Sequence, residues 1–484
     1  DRAIELNPGA GWVIAQRGIT HRLMKRYKEA LKDFDRAIEL NPGAGWVIAQ
    51  RGRTHHLMER YKEALKDFDR AIELDPGAGW VIAQRGITHR LMESYEASLT
   101  DLQKAIELEP DFEHEGRKEI GLALQGMGLQ KKAIDSFLKS LSAYPACTEC
   151  WLSLVKTYEL VYPRLEIPKL ITEAPVPQLE RAAVRHCRAR AMSEVGYKDY
   201  AIVEFSRTID SDSSYIPAIA HRGITYRELE RYEEALKDFD RAIELDPQSA
   251  WAIAHRGITY RELERYEEAL KDFDRAIELD PQSAWAIAHR GITYRELERY
   301  EEALKDFDRA IELDPQNAWI VEGRADTYRL MGSYDKALTD FDTAISLEYD
   351  CWGGRGLALS YLGRYSEAIQ SYNESLKRNS HAFSDLYNVA VATVRLRGVT
   401  DAHLQIEAVR QTLTSSLNTK SRGAALYGLG GLEAVTGNID AALNYLRQSI
   451  LLERQAAIWA RQDVAWLDLH SNEYFQDLIS PKSF

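Results

Sequence analysis

Cys147 and Cys150 carry the most distinctive chemistry in this sequence. Two residues separate them, a spacing found in zinc sites and in redox-active thiol pairs, and His186 and Cys187 follow further along the chain. One such pair with a distant His-Cys dipeptide does not by itself specify either site. We interpret the cysteines as ordinary half-buried thiols, with a zinc site and a redox pair as the alternatives, and we predict no metal and no cofactor.

A second candidate is a row of histidines. His221, His255 and His289 recur at a spacing of 34 residues, so each falls on a different helix if the chain is helical. Such a row separates the imidazoles, whereas a zinc site gathers its ligands around one point. The sequence also holds none of the familiar phosphate-binding, nucleophile or metalloprotease motifs. We therefore predict no catalytic residue and a non-enzymatic protein.

The composition of the chain limits the classes of partner that it is expected to bind. The 484 residues include 62 Lys and Arg against 75 Asp and Glu, a formal net charge of −13, which disfavours binding to a nucleic acid or to an anionic membrane. No run approaches the roughly 20 apolar residues of a membrane-spanning helix. Four cysteines in this length suit a reducing compartment. We predict a cytoplasmic protein that binds neither a nucleic acid nor a membrane.

The elements that position these residues form a repeat of 34 residues. Residues 252–285 recur almost letter for letter as residues 286–319. The same period spaces the prolines Pro8, Pro42, Pro76 and Pro110, and again Pro247, Pro281 and Pro315.

Each repeat is predicted to be a pair of helices. Ile253, Gly257 and Tyr260 fall on one face of the first helix, and Ala269 and Phe273 begin a similar face on the second. The second helix must end before the proline, because the residue preceding a proline avoids helical geometry. The apolar surface of one hairpin is covered only when neighbouring hairpins stack on it.

This pattern resembles the tetratricopeptide repeat at Gly257, Tyr260, Ala269, Phe273, Ala276 and Pro281. The resemblance implies an all-α solenoid, a right-handed superhelix of stacked helix hairpins. The chain departs from the family at Ile253 and Arg256, where the family often has Trp and Leu. We expect Arg256 to form a supporting ion pair with Asp272 or Asp274, repeated in most units.

Four segments are predicted along the chain. Residues 1–161 are an N-terminal array that starts inside a repeat, residues 162–178 a proline-rich interruption, and residues 179–382 a central array. Residues 383–484 hold divergent repeats and a closing capping helix with Trp466, Phe475 and Leu478. The interruption is either an eroded repeat or a hinge or partner-binding loop. The start inside a repeat suggests a longer protein with an upstream effector domain.

On the first helix of each repeat, a stripe of residues remains after the residues that face the hairpin core are assigned. In the tetratricopeptide family similar positions line the concave surface, which makes them the candidate partner-binding residues here. In the first block they are Trp12, Gln16, Ile19, Arg22, Trp46, Gln50, Arg53, Trp80, Gln84, Ile87 and Arg90. In the second block they are His221, Trp251, His255, Ile258, Arg261, Trp285, His289, Ile292, Arg295 and Trp319. The alternative is that each tryptophan packs between adjacent repeats and is not exposed.

Tryptophan, isoleucine and arginine are residues that dominate protein–protein binding energy. We predict a protein-binding scaffold or sensor region whose partner is an apolar or amphipathic segment, with Arg261 and Arg295 recognising its acidic groups. A clamp for chaperone tails is not expected, because Ala254 and Ile258 stand where such members carry Lys and Asn. The near-identical repeats resemble arrays of bacterial signalling proteins. The alternatives are a regulatory region of an upstream enzyme and a purely structural spacer.

Overall fold

A computed structural model describes residues 9–179, 181–378 and 383–480 of the chain. These residues form α-helices and short 3-10 helices, with no β-strand among them. The helices fall into two compact units, Asp1–Pro247 and Gln248–Phe484, each described here by itself.

The first unit is a series of helix hairpins. Consecutive helices pair as antiparallel neighbours, and each pair packs on the next along the chain. Its helices are α1 Gly11–Leu23, α2 Tyr27–Leu40, α3 Gly45–Leu57, α4 Tyr61–Leu74, α5 Gly79–Leu91, α6 Tyr95–Leu108, α7 Glu113–Gly126, α8 Gln130–Ala143, α9 Thr148–Glu159, α10 Ile167–Thr172, α11 Ala182–Glu194, α12 Lys198–Ser211, α13 Ile216–Glu228 and α14 Tyr232–Leu245.

The proline-rich segment interrupts this series. Its helical content is a 3-10 turn at Arg164–Glu166 and the six-residue helix α10, in keeping with the prolines, and α9 packs directly against α11. Ile167 and Ile171 of α10 are fully buried. These two side chains anchor α10 to the hairpin series, and the choice between an eroded repeat and a hinge or partner-binding loop stays a prediction.

The second unit continues the same hairpin pattern. Its helices are α15 Ala250–Glu262, α16 Tyr266–Leu279, α17 Ala284–Glu296, α18 Tyr300–Leu313, α19 Ala318–Leu330, α20 Tyr334–Ser346, α21 Trp352–Tyr361, α22 Tyr365–Arg378, α23 Phe383–Arg397, α24 His403–Ser416, α25 Arg422–Val435, α26 Ile439–Leu452, α27 Gln455–Gln462 and α28 Glu473–Ile479. The predicted all-α solenoid is confirmed within each unit.

A buried phenylalanine anchors most of the regular hairpins. Phe273 in α16 is fully buried, and its ring lies 3.2 Å from the point that a Cβ atom on Gly257 would occupy. A larger residue at Gly257 would therefore push the two helices of the hairpin apart. Phe307 and Phe341 repeat this burial in the following hairpins.

An ion pair crosses the hairpin beside this core. Arg256 donates from Nε and Nη2 to the two carboxylate oxygens of Asp272, each at 2.7 Å, which confirms one of the two partners expected from the sequence. Asp274 instead accepts from Arg290 of the next hairpin, at 2.7 Å. The same carboxylate–guanidinium pairing recurs at Arg17–Asp33, Arg51–Asp67, Arg85–Asp101, Arg222–Asp238 and Arg324–Asp340.

The end of the second unit differs from the expected single closing helix. Trp466 lies in a 3-10 helix, Val464–Leu469, whereas Phe475 and Leu478 lie in α28. The side chains of Asp463 and Asn472 accept hydrogen bonds from backbone amides and so start each of these helices separately. Trp466 and Phe475 are nevertheless fully buried and stacked, with ring centroids 5.7 Å apart, so the segment does cover apolar surface.

Candidate functional site

The second unit carries a continuous ladder of alternating tryptophan and histidine rings. Ring centroids are 4.5 Å apart from Trp251 to His255, 4.9 Å from His255 to Trp285, 4.6 Å from Trp285 to His289, and 5.1 Å from His289 to Trp319. The steps alternate between residues four apart on one helix and residues on consecutive first helices. We call these five residues the Trp–His ladder.

Exposure along the ladder is uneven. Trp251 is 41% exposed, and Trp285 and Trp319 are half-buried. The tryptophans thus pack on imidazoles, but each keeps part of its indole at the surface, so the alternative that they are not exposed is wrong. Ile292 and His289 are also half-buried.

Two predicted contact residues lie below this surface. His255 is 8% and Ile258 4% exposed. The helix stripe that the sequence assigns to a partner therefore includes side chains that instead pack beneath the tryptophans. We correct the role of Ile258 to packing, because its side chain offers almost no surface to a second molecule.

Charged residues flank the ladder. The Nε atom of Arg261 lies 3.7 Å from a carboxylate oxygen of Glu296, and Nη1 of Arg295 lies 3.3 Å from Asp326. Arg261 also contacts Nδ1 of His289 at 3.2 Å. Both arginines are half-buried, so they present partly neutralised positive charge next to the rings.

Glu322 lies near Arg295 and Arg329, and the sequence does not single it out. Burial, with a smaller contribution from the nearby Asp326, raises the pKa of Glu322 to about 7, although Arg295 and Arg329 oppose the shift. The carboxyl is thus partly protonated near neutral pH. Only the packing of α17 against α19 reveals this environment, because Glu322 is sequence-distant from Arg295.

The corresponding stripe of the first unit also exposes tryptophans. Trp12 is 68% and Trp46 40% exposed, and Trp80 is half-buried. Trp12 and Trp46 line a shallow pocket of about 390 Å³ that reaches Leu40 and Val47. Gln16 and Arg53 are exposed, and the half-buried members of this stripe are Ile19, Gln50, Gln84, Ile87 and Arg90.

Polar contacts join the repeats of this stripe. Arg22, only 7% exposed, donates to Gln50 at 3.1 Å, and Arg90 donates to the buried Glu119 at 2.7 Å. These arginines connect consecutive hairpins, so Arg22 supports the packing in place of the predicted partner contact. Glu119 is not among the predicted residues, although it occupies on α7 the position of Gln50 and Gln84 once the spacing is lengthened by one inserted residue.

His221 occupies a different setting from the other two histidines of the row. Its ring lies 4.8 Å from that of His186 and 6.4 Å from that of Phe205. Burial lowers the pKa of His221 and lowers that of His186 to about 3, so both imidazoles are neutral at physiological pH. His221 is half-buried within this aromatic cluster.

The structure pairs the two cysteines with a histidine other than the one suggested by the sequence. His114 and the Sγ atoms of Cys147 and Cys150 bring their ligating atoms within 4.8 Å of one another. His186, which we had considered with the cysteines, packs against His221 instead. His114 belongs to the preceding hairpin, and no spacing rule connects it with Cys147.

Family models agree with this architecture. Models described as tetratricopeptide repeat match residues 13–43, 47–78, 215–282, 284–317 and 349–381. The class of protein is therefore a helical repeat scaffold, a fold associated with protein–protein interaction and generally non-catalytic. The matched repeats of this chain belong to the tetratricopeptide repeat family.

Solved structures of similar architecture share little sequence with the chain. Yeast Tom70 is 16% identical with a TM-score of 0.45, over 92% of this chain and 98% of that one. Cut9, in the APC/C hetero-tetramer Cut9–Hcn1, is 15% identical with a TM-score of 0.43, over 98% and 94%. A tetratricopeptide repeat protein from Parabacteroides merdae is 19% identical with a TM-score of 0.40, over 58% and 99%. No curated protein matches the chain significantly in sequence.

A membrane-spanning helix needs about 20 predominantly apolar residues. Within the described residues, no helix combines the length and the apolar character needed to cross a bilayer.

Proposed function

We propose that this chain is a non-enzymatic scaffold that binds a segment of another protein along the Trp–His ladder of its second unit. The observation that carries the proposal is the row of partly exposed indoles from Trp251 to Trp319, held in position by the imidazoles of His255 and His289. Rings fixed by packing lose little conformational entropy when a partner covers them.

The ladder favours an apolar or amphipathic segment. Aromatic side chains supply large contact areas and are enriched among the residues that dominate binding energy. Acidic groups on the segment would interact with Arg261 and Arg295 at the edge of the ladder. Since Glu296 and Asp326 already lie near these arginines, we expect the charge contribution to be smaller than that of the rings.

The first unit offers a second surface of the same kind. Trp12 and Trp46 are exposed beside the shallow pocket, and the exposed side chains Gln16 and Arg53 lie on the same helix stripe. We propose that this surface contacts a partner through indoles as well. Its amide and arginine side chains differ from the imidazoles of the second unit, so the two units would select different sequences.

The proposal is tested with a synthetic amphipathic peptide that has leucines on one helical face and glutamates on the other, and with a matched peptide carrying lysines. Fluorescence anisotropy should show tighter binding of the glutamate peptide. The double variant Trp251→Ala with Trp285→Ala should weaken that binding about tenfold or more.

Trp459→Ala is the matched control, because Trp459 is 36% exposed and lies outside the ladder. Unchanged affinity in the double variant would show that the ladder is not the binding surface. Loss of helicity by circular dichroism would instead assign the two tryptophans to the core. If neither peptide binds the intact chain, the spacer interpretation gains support.

A further inference from the structure

The two cysteines lie where a helix begins. Cys147 is the residue before α9, and its sulfur accepts a hydrogen bond from the backbone amide of Cys150 at 3.3 Å. The two Sγ atoms are 2.9 Å apart, and both thiols are free. Backbone amides at a helix N-terminus stabilise a negative charge, so a thiolate at Cys147 is favoured there.

The two thiols have different surroundings, and only the Cys147 thiol is accessible. Cys150 is fully buried, and its sulfur lies 3.4 Å from Oγ of Ser140, which in turn lies 2.9 Å from Nδ1 of His114. Cys147 is half-buried and lines an open pocket of about 380 Å³ together with His114 and Arg190. A small molecule can therefore reach Cys147 but not Cys150.

The pKa values of the two thiols differ in the direction that favours reaction at the accessible Cys147. The hydrogen bond shared with Cys150 lowers the pKa of the Cys147 thiol to about 6, and His114 and Lys118 contribute in the same direction. The same hydrogen bond and burial raise the pKa of Cys150. Cys147 is thus a thiolate at neutral pH, while Cys150 keeps its proton.

We propose that Cys147 and Cys150 form a redox-active dithiol, in which Cys147 reacts with low-molecular-weight disulfides and Cys150 resolves the product. With oxidised glutathione, the Cys147 thiolate attacks one sulfur, the glutathione S–S bond breaks, and one glutathione leaves as a thiolate. Cys150 then attacks the Cys147 sulfur of the mixed disulfide. Its proton passes to the second departing glutathione, so two cysteine thiols are oxidised and one disulfide is reduced.

The geometry favours this chemistry over a zinc site. Two sulfurs bound to one tetrahedral zinc at about 2.3 Å must lie nearly 4 Å apart, a wider separation than the 2.9 Å here. Ser140 also occupies the space between His114 and Cys150.

The test uses the full chain and oxidised glutathione. We expect two thiols per chain to be lost, peptide mass spectrometry to locate one disulfide between Cys147 and Cys150, and dithiothreitol to reverse it. Cys150→Ser should accumulate a mixed disulfide at Cys147, and Cys147→Ser should leave Cys150 unmodified. Cys187→Ser and Cys351→Ser are matched controls that should behave as the unmodified chain does.

A second measurement does not depend on disulfide formation. Alkylation of Cys147 by iodoacetamide should reach half its maximal rate near pH 6. At neutral pH this rate should fall about tenfold in Cys150→Ser, with helicity unchanged by circular dichroism. Retention of all four thiols in glutathione, glutathionylation of Cys187 in place of Cys147, or co-purification of one zinc equivalent with the cysteines would each overturn the proposal.

Discussion

Arg290 and Asp306 form a two-point ion pair across one hairpin of the second unit. Nε and Nη2 of Arg290 donate to the two carboxylate oxygens of Asp306, each at 2.7 Å, and Nη1 donates to Asp274 of the preceding hairpin. Asp306 is 7% exposed. One guanidinium thus stabilises the pairing of α17 with α18 and the stacking of that hairpin on α16.

Removal of the Asp306 carboxylate should destabilise the folded chain. We expect Asp306→Ala to lower the free energy of unfolding by about 1–3 kcal/mol, because the half-buried Arg290 loses its main acceptor. The control is Glu312→Ala, which removes an exposed pair with Arg309 and should change stability by less than about 0.5 kcal/mol. Urea unfolding of the full chain, followed by circular dichroism, measures both. Equal effects would show that burial does not strengthen the ion pair.

The turn inside each hairpin offers a stabilising substitution. Glu298 has a φ of +57°, and Gly332 occupies the corresponding turn of the next hairpin with a φ of +75°. Glycine adopts positive φ without the steric cost that a side chain incurs. We expect Glu298→Gly to raise the free energy of unfolding by about 0.5–1 kcal/mol.

Glu301→Gly provides the contrasting control for that substitution. Glu301 is exposed in the first turn of α18. Glycine there should destabilise the chain by up to about 1 kcal/mol, because it lowers helix propensity. Thermal unfolding would contradict the argument if both variants shifted the midpoint in the same direction.

Glu322 should make stability depend on pH. Its raised pKa, about 7, means that the folded chain holds this proton more tightly than the unfolded chain, whose ordinary value is 4.5. The contribution of Glu322 to stability should be greatest below about pH 4.5 and should fall as the pH rises to about 7. Glu322→Gln should remove this dependence and stabilise the chain at pH 8 by about 1–3 kcal/mol.

The measurement is urea unfolding at several values between pH 5 and pH 8. Glu312→Gln is the control, because Glu312 is exposed on α18, the second helix of the preceding hairpin. An identical slope with pH in the chain and in Glu322→Gln would show that the burial of Glu322 does not perturb its ionisation.

Alanine substitutions at Trp466 and Trp459 should differ in their effect on stability, because one tryptophan is buried and the other is exposed. Trp466 is fully buried against Phe475, so Trp466→Ala should cost about 3–5 kcal/mol in the free energy of unfolding. Trp459→Ala should cost much less, since that side chain is 36% exposed. Comparable losses in denaturant titrations would mean that the closing segment packs differently.

The repeat made much of the fold predictable. The spacing of Gly257, Phe273 and Pro281 correctly placed the helices of the regular hairpins, and the partner of Arg256 was narrowed to two aspartates. The prediction of one closing helix with Trp466, Phe475 and Leu478 was wrong. Asp463 and Asn472 begin two separate helices there, and such local hydrogen bonds are not evident from apolar periodicity.

The candidate binding residues were likewise predicted only in part. The sequence placed Trp251 and Ile258 on one stripe, and both do lie on α15, but Ile258 is buried while Trp251 is exposed. Helical periodicity assigns a residue to a direction around its own axis. Periodicity does not show how deeply the next hairpin buries the side chains that point in that direction.

The sequence by itself determined the hairpin repeat, because local apolar periodicity and turn residues recur every 34 positions. Tertiary structure decided which side chains meet across repeats. It interleaved Trp285 between two histidines, placed Glu322 among arginines, and brought His114 to Cys147 and Cys150. These contacts depend on the distance and angle between stacked helices, which side-chain packing sets and which no spacing along one helix encodes.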